Sequence, residues 1–231
     1  MAGFLVDFMN AVGYGICHQM PSRTLRYGGR GLPVCARDTG FFVAFTACLL
    51  LLVVCYRARP VRYPAPWKTA VLAAFLLPTA VDAVTSYAGL RASGNALRLA
   101  TGALAGTGAA ALLFPVAWGC VAALREGDRE EEVRMFGPAW SLPALLLVPA
   151  AVSLSMWPSP WGYWIWAPAV TLAILLTLFA LNFTLVALLF EWWKGPGSKR
   201  APAWCVCAGA GLTVLELLAS NRLHWLVERA L

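Results

Sequence analysis

Residues 40–56 read Gly40-Phe41-Phe42-Val43-Ala44-Phe45-Thr46-Ala47-Cys48-Leu49-Leu50-Leu51-Leu52-Val53-Val54-Cys55-Tyr56, a run without a charged side chain. At 1.5 Å per residue such a run makes a helix of about 25 Å. The hydrocarbon core of a bilayer is about 30 Å thick, and about 20 apolar residues cross it. In lipid every backbone N–H and C=O needs a partner within the segment, so the run folds as a helix. Working outward, five more apolar runs follow, at 69–90, 97–124, 136–157, 161–193 and 203–220. The bulk composition agrees: 60% of the 231 residues are apolar and 13% are charged. An average soluble domain has about 45–50% and about 25%. The alternation of an outer-membrane barrel strand is missing. The expectation is an all-α integral membrane protein with about six transmembrane helices.

Residues 1–16 are too short to span and carry Asp7 and Asn10. They lack the basic segment and small-residue cleavage site of a signal peptide, so none is expected. They read as an N-terminal interfacial or re-entrant helix with Phe4, Leu5, Phe8 and Met9 on its apolar side. No Pro/Ser-rich linker divides the chain. A single membrane domain over 1–231 is expected, with a motif-bearing half (1–106, helices one to three) and a helical half without a motif (107–231). The fifth run, at about 50 Å, overshoots the bilayer core. Trp157, Trp161, Trp164 and Trp166 crowd one end and Trp192 and Trp193 close the other, as aromatic belts do. The acidic stretch at 126–132 reads as a solvated loop or short surface helix.

The net charge is +7. The basic residues lie mainly between apolar runs, where they set topology and meet anionic lipid, so nucleic acid is not an expected partner. Three loops on one side carry Arg57, Arg59, Arg62, Lys68, Arg125, Arg129, Arg134, Lys194, Lys199 and Arg200. The other side carries Arg23, Arg26, Arg30, Arg37, Arg91, Arg98, Arg222 and Arg229. Several of the second group fall inside motif-like clusters. Discounting those, the positive-inside rule puts the first three loops in the cytoplasm of a bacterial or archaeal cell membrane, with the motif face extracytoplasmic.

The first of those clusters precedes the opening run. Cys17-His18 lies ahead of Cys35-Ala36-Arg37-Asp38-Thr39-Gly40, offering Cys17, His18, Cys35 and Asp38 as metal ligands. Cys35 and Asp38 face one point across a helical turn. Zinc takes thiolate, imidazole and carboxylate in a tetrahedron, so one reading is a divalent metal site. A second is a Cys17–Cys35 disulfide, which an extracytoplasmic face permits. A third is a capped turn with His18 hydrogen-bonded. Cys48, Cys55 and Cys120 read as inert packing residues in apolar helices. Cys205-Val206-Cys207, at the start of the last helix, also reads as packing.

The second cluster is Arg91-Ala92-Ser93-Gly94-Asn95-Ala96-Leu97-Arg98. Gly89 suits the left-handed cap of helix two, and Ser93 suits the N-cap of helix three. Asn95 and Arg98 share a face of the first turns. A helix start beside arginines is a ready anion site, so Arg37, Arg91, Ser93, Asn95 and Arg98 are the candidate ligands of a phosphate, carboxylate or lipid head group. Asp82 lies inside the second run, where an ionisable group needs a partner. Arg37, Arg91 and Arg98 are the candidates, with Thr85 or Ser86 adding hydrogen bonds; a structural bridge and a ligand site both remain open. Glu216 is also embedded, with Arg222 or His224 as possible partners. Asn182 and Thr184 suit hydrogen bonds between helices.

Two stretches resemble the predicted membrane proteins of domain-of-unknown-function family 2085. One is Cys17-His18-Gln19-x-Pro21-x-Arg23, followed by Pro33-Val34-Cys35-Ala36-Arg37-Asp38-Thr39-Gly40. The other is Asp82, then Arg91, Ser93, Asn95, Arg98, Thr101 and Gly102. The resemblance covers roughly 15–106. The family's second motif looks like Cys-Ala-Arg-Cys-Thr-Gly, so this chain departs from it at Asp38. A set of three cysteines and a histidine would imply zinc or iron; a carboxylate in one place still binds zinc.

Three functions compete on these residues. The first is an enzyme acting on membrane lipid, with the four ligands on a metal, the arginines on a phosphate, and Asp82 and His18 as the catalytic groups. The second is a transporter or flippase with Asp82, Arg98 and Glu216 along its path. The third is a structural protein whose charges knit helices together.

Overall fold

The computed structural model describes residues 2–56, 61–122, 133–138, 140–156, 162–194 and 204–230. Helix α1 (Ala2–Tyr14) is followed by a hairpin of two short strands, β1 (Arg26–Tyr27) and β2 (Arg30–Gly31), antiparallel with Tyr27 opposite Arg30. Then come α2 (Ala36–Tyr56), β3 (Val61–Arg62), α3 (Pro66–Ala74), α4 (Leu77–Tyr87) and α5 (Asn95–Ala122). The second half holds β4 (Val133–Arg134), α6 (Ser141–Ala144), α7 (Leu147–Ser155), α8 (Gly162–Lys194) and α9 (Trp204–Ala230). The protein is an all-α membrane protein, and among the described residues five stretches are long and apolar enough to cross a bilayer: α2, α3–α4, α5, α8 and α9.

The expected run at 136–157 differs. It forms α6–α7, about 22 Å over Ser141–Ser155 at 1.5 Å per residue. Pro143 and Pro149 supply no N–H there, and the turn between the two helices tightens into i→i−3 bonds such as Leu145 N to Leu142 O and Val148 N to Leu145 O. Proline also divides the second span: Pro78 has no N–H for the Ala74 carbonyl, and α3 hands over to α4 through Leu76 N to Ala73 O at 3.1 Å.

The centre of the fold is the pairing of α2 with α5. Gly40 of α2 and Gly102 and Gly106 of α5 bring the two backbones together. A Cβ on Gly102 would lie 2.0 Å from the Arg37 carbonyl oxygen, and one on Gly106 would lie 2.1 Å from that of Phe41. Small residues one turn apart are what lipid-embedded helices use to approach closely. Apolar clusters close both ends of this pair. One joins Met9, Val12, Val34, Tyr27 and Tyr163 beside the hairpin. The other joins Phe45, Leu52, Phe114, Met135 and Phe136. At that second end β3 and β4 pair in parallel, so the segments entering α3 and following α5 lie together.

Three expectations are corrected. In α1, Phe4, Leu5 and Phe8 point outward, but Met9 does not join them on that apolar side: it is buried with Val12 in the core. Lys68 is not a solvated loop charge. It is buried in α3, and its ammonium donates to the carbonyls of Phe136, Gly137 (3.3 Å) and Pro138 (3.2 Å), which use all three of its donors. Cys55 and Cys207 are exposed, whereas Cys48, Cys120 and Cys205 are packed as expected. The acidic stretch at 126–132, Trp157, Trp161 and the basic residues of 57–60, 125–132 and 195–200 lie outside the described residues.

Candidate functional site

The hub of the motif end is Asp82. It sits in α4 with 1% of its side chain exposed. Its Oδ2 accepts from Arg37 at the start of α2. Its Oδ1 accepts from Arg91 Nη2 at 2.5 Å and Ser93 Oγ at 2.7 Å. The local turn makes this possible. Gly89 adopts φ +71° just past α4, and the Leu90 N–H returns to the Thr85 carbonyl at 3.0 Å, a left-handed helix cap. The chain therefore reverses and carries Arg91 and Ser93 back onto Asp82. Thr85 Oγ1 accepts from Arg91 Nε at 3.0 Å and steadies that guanidinium.

The expected anion ligands are divided by this arrangement. Ser93 does not cap α5: the helix begins at Asn95, opening with Arg98 N bonded to the Gly94 carbonyl, and the Ser93 hydroxyl donates to Asp82. Arg98 does not reach Asp82. It is buried in α5 and donates to Ser86 Oγ at 3.0 Å. Asn95 leaves Arg98 and donates to the Thr24 carbonyl, beside an apolar groove lined by Leu25, Leu99 and Met156. Asp82, a candidate catalytic group, spends both oxygens on positioning two guanidiniums.

The thiol corner is assembled by α1 and the segment entering α2. Cys17 N returns to the Gly13 carbonyl at 2.9 Å and ends α1. Gln19, with φ +49°, donates through Nε2 to the carbonyls of Asn10 and Pro33, each at 2.8 Å, and so fastens the two segments. Cys35 begins the first turn of α2, with Thr39 N on its carbonyl at 2.8 Å. The Cys35 N–H points to Cys17 Sγ at 3.3 Å, and the Cys35 thiol donates to Asp38 Oδ2 at 3.1 Å. The donor atoms of Cys17, Cys35 and Asp38 all lie within 4.8 Å of one another. Both cysteines are free thiols. The interaction between the two thiols holds Cys17 below its ordinary range, while the same interaction, burial and the Asp38 charge push Cys35 above its own.

His18, the fourth expected ligand, is not in that group. Its ring packs on His224 of α9, with centroids 4.4 Å apart. His224 in turn stacks on Tyr14 and bonds the Tyr14 carbonyl through Nδ1 at 2.6 Å. No spacing rule in the chain links His18 to a residue so distant in sequence. Glu216 likewise differs from expectation: it accepts from Asn182 Nδ2 at 2.8 Å, and neither Arg222 nor His224 is its partner. Asn182 also donates to Thr213, tying α8 to α9 as anticipated, while Thr184 bonds the Ala180 carbonyl within its own helix.

The thiol corner and two of the expected anion ligands, Arg37 and Arg98, open on one cavity of about 210 Å³; Arg91, Ser93 and Asn95 do not line it. Cys17, Cys35 and Asp38 form one wall, and Arg23, Arg37 and Arg98 form another, with His18 and Tyr87 also at its edge. Arg23 was readable only as part of the first motif; its guanidinium lies 4.7 Å above the Tyr87 ring. Arg37 and Arg98 each keep a buried Nε–H without an acceptor.

A helical membrane protein with a cysteine- and arginine-lined chamber at one end of its central helix pair is the class that this fold and site define. The chain belongs to the family described as predicted membrane protein (DUF2085), whose profile matches residues 17–112. An uncharacterised protein of Methanothermobacter thermautotrophicus is 42% identical over 99 residues, covering 42% of this chain and 83% of that protein. An uncharacterised protein of Methanocaldococcus jannaschii is 34% identical over 101 residues, covering 44% of this chain and 63% of that one. No solved structure matches. The family segment begins at Cys17 and ends within α5, so it holds both walls of the cavity; α6 to α9 and His224 lie beyond it.

Proposed function

We propose that this protein binds an anionic, phosphate-bearing ligand in the cavity at the motif end, at the edge of the membrane. The observation that carries the reading is the convergence of three guanidinium side chains, Arg23, Arg37 and Arg98, on the lining of one cavity. A tetrahedral oxyanion supplies acceptors in the directions a guanidinium fork requires. Asp82 neutralises Arg37 from behind and leaves Arg98 and Arg23 to the ligand. The ligand is a lipid head group or free phosphate, and either suits an enzyme of membrane lipids better than a conduction path, since Glu216 lies in the separate α8–α9 contact. By the positive-inside rule, the basic loops expected on the other side favour the outer face of the cell membrane for this cavity.

The test uses the full chain in nanodiscs of zwitterionic lipid. Inorganic phosphate and a small fraction of phosphatidic acid are added in separate arms, and binding is read by 31P NMR and thermal stability. A response to phosphatidic acid alone identifies a lipid head group; a response to both identifies the phosphate itself. Arg23→Gln and Arg98→Gln should each weaken binding about tenfold or more, the worth of one charge-assisted hydrogen bond. No response in either arm overturns the reading.

A further inference from the structure

We infer that Cys17, Cys35 and Asp38 hold a divalent, thiophilic metal ion of the zinc class, with its fourth coordination position open to the arginine-lined cavity. The donor set is two sulfurs and one carboxylate oxygen, gathered within 4.8 Å from three separate backbone positions. Zinc–sulfur bonds of about 2.3 Å and zinc–oxygen bonds of about 2.0–2.2 Å in a tetrahedron set ligand edges of roughly 3.5–3.8 Å. The atoms are already near that spacing, with Cys35 Sγ and Asp38 Oδ2 at 3.1 Å and no pair beyond 4.8 Å.

Backbone donors face the two sulfurs. Cys35 stands at the start of α2, where free N–H groups and the positive end of the helix favour negative charge. The Cys35 N–H already points at Cys17 Sγ. Such backbone donors orient and stabilise metal thiolates from outside the coordination sphere. Gln19, with its bonds to Asn10 and Pro33, locks the loop that carries Cys17 against the one that carries Cys35. A site of two thiolates and one carboxylate leaves net negative charge on a divalent ion, and Arg23, Arg37 and Arg98 across the cavity offset it.

Three protein ligands and an open position are the pattern of a reactive zinc site, whereas four protein ligands close a structural one. The contact of His18 with His224 withdraws the only imidazole near the three donors. The fourth position therefore falls to water or to the anion. The metal site stands on its own donors; only the identity of its fourth ligand rests on the anion reading above.

The experiment measures zinc by elemental analysis in protein purified under reducing conditions, then replaces zinc with cobalt. Stoichiometric zinc and the sulfur-to-cobalt charge-transfer bands of a four-coordinate ion are expected. Cys17→Ser, Cys35→Ser and Asp38→Ala should lose the metal, whereas His18→Ala and Cys205→Ser should keep it. If a cysteine variant fails to fold, chelator-stripped wild-type protein titrated with cobalt gives the same reading. Phosphate should shift the cobalt spectrum of the wild type, and Arg98→Gln should suppress that shift while retaining the metal. Wild-type protein that takes up no metal, or that carries a Cys17–Cys35 disulfide when purified under reduction, overturns the site. Loss of metal from His18→Ala overturns the open position. Phosphate binding that persists in metal-free protein leaves the anion reading standing, so the two failures are distinguishable.

Discussion

Asp82 and Glu216 both lie within apolar helical spans of this protein, and they are treated differently. Asp82 of α4 is fully enclosed and is met by two guanidiniums and a hydroxyl. Glu216 of α9 is exposed on its helix and is met by one amide, that of Asn182. The spans that carry them do not make the difference: the α3–α4 span is 11% buried and α9 is 17% buried, so it is the partners folded onto Asp82 that enclose it. An ionised group in a membrane helix is retained where it has charged partners. Asp82 is therefore the organising charge of a polar chamber, and Glu216 is part of a small knot that pairs α8 with α9.

Removing each carboxylate tests that difference most severely. Asp82→Ala leaves Arg37 and Arg91 without their counter-charge and should destabilise the protein by about 3–5 kcal/mol, the range for breaking a buried pair. Glu216→Ala removes one neutral-donor hydrogen bond and should cost about 1 kcal/mol or less. Thermal unfolding in one detergent compares them; equal losses would erase the distinction.

Glycine substitutions come next. Gly102→Ala drives a methyl group into the Arg37 carbonyl and should cost about 1–3 kcal/mol, as overpacking does. Gly211→Ala on α9 has open space beside it and should be neutral or stabilising by up to about 1 kcal/mol. Gly102→Ala should also weaken phosphate binding, because Arg37 moves with the contact. A stable Gly102→Ala variant with unchanged binding would show that the α2–α5 contact does not position the site.

The smallest effects separate the two arginines on Asp82. Arg37 is 13% exposed and Arg91 is 41% exposed. Solvent screens Arg91, so Arg91→Gln should cost under about 1 kcal/mol, and Arg37→Gln should cost more. Equal melting temperatures would mean that Arg37 is screened as well.

Much of this was legible in the chain. Hydropathy locates α2, α5, α8 and α9, Gly89 announces the reversal after α4, and the cost of burying Asp82 calls for arginine partners, of which Arg37 and Arg91 pair with it and Arg98 does not. The pairing of Arg98 with Ser86 and of Asn95 with Thr24 was not legible, because a shared helical face does not say what stands opposite it. The withdrawal of His18 depends on His224, which reaches it through the packing of α9 on α1. Pro78, Pro143 and Pro149 were visible, yet long apolar stretches read as continuous until the missing N–H groups are counted. Gly102 and Gly106 carried a small-residue signal in plain view; hydropathy alone passes over it.

The central claim is that the chamber organised by Asp82 holds an anion against Arg98 and Arg23. Phosphate titration of the wild type and Arg23→Gln, side by side in the same nanodiscs, tests it most directly. Arg23 is partly exposed, so the substitution leaves the melting temperature in place. The account predicts binding weakened about tenfold or more in the variant. Equal affinities at equal stability would contradict it.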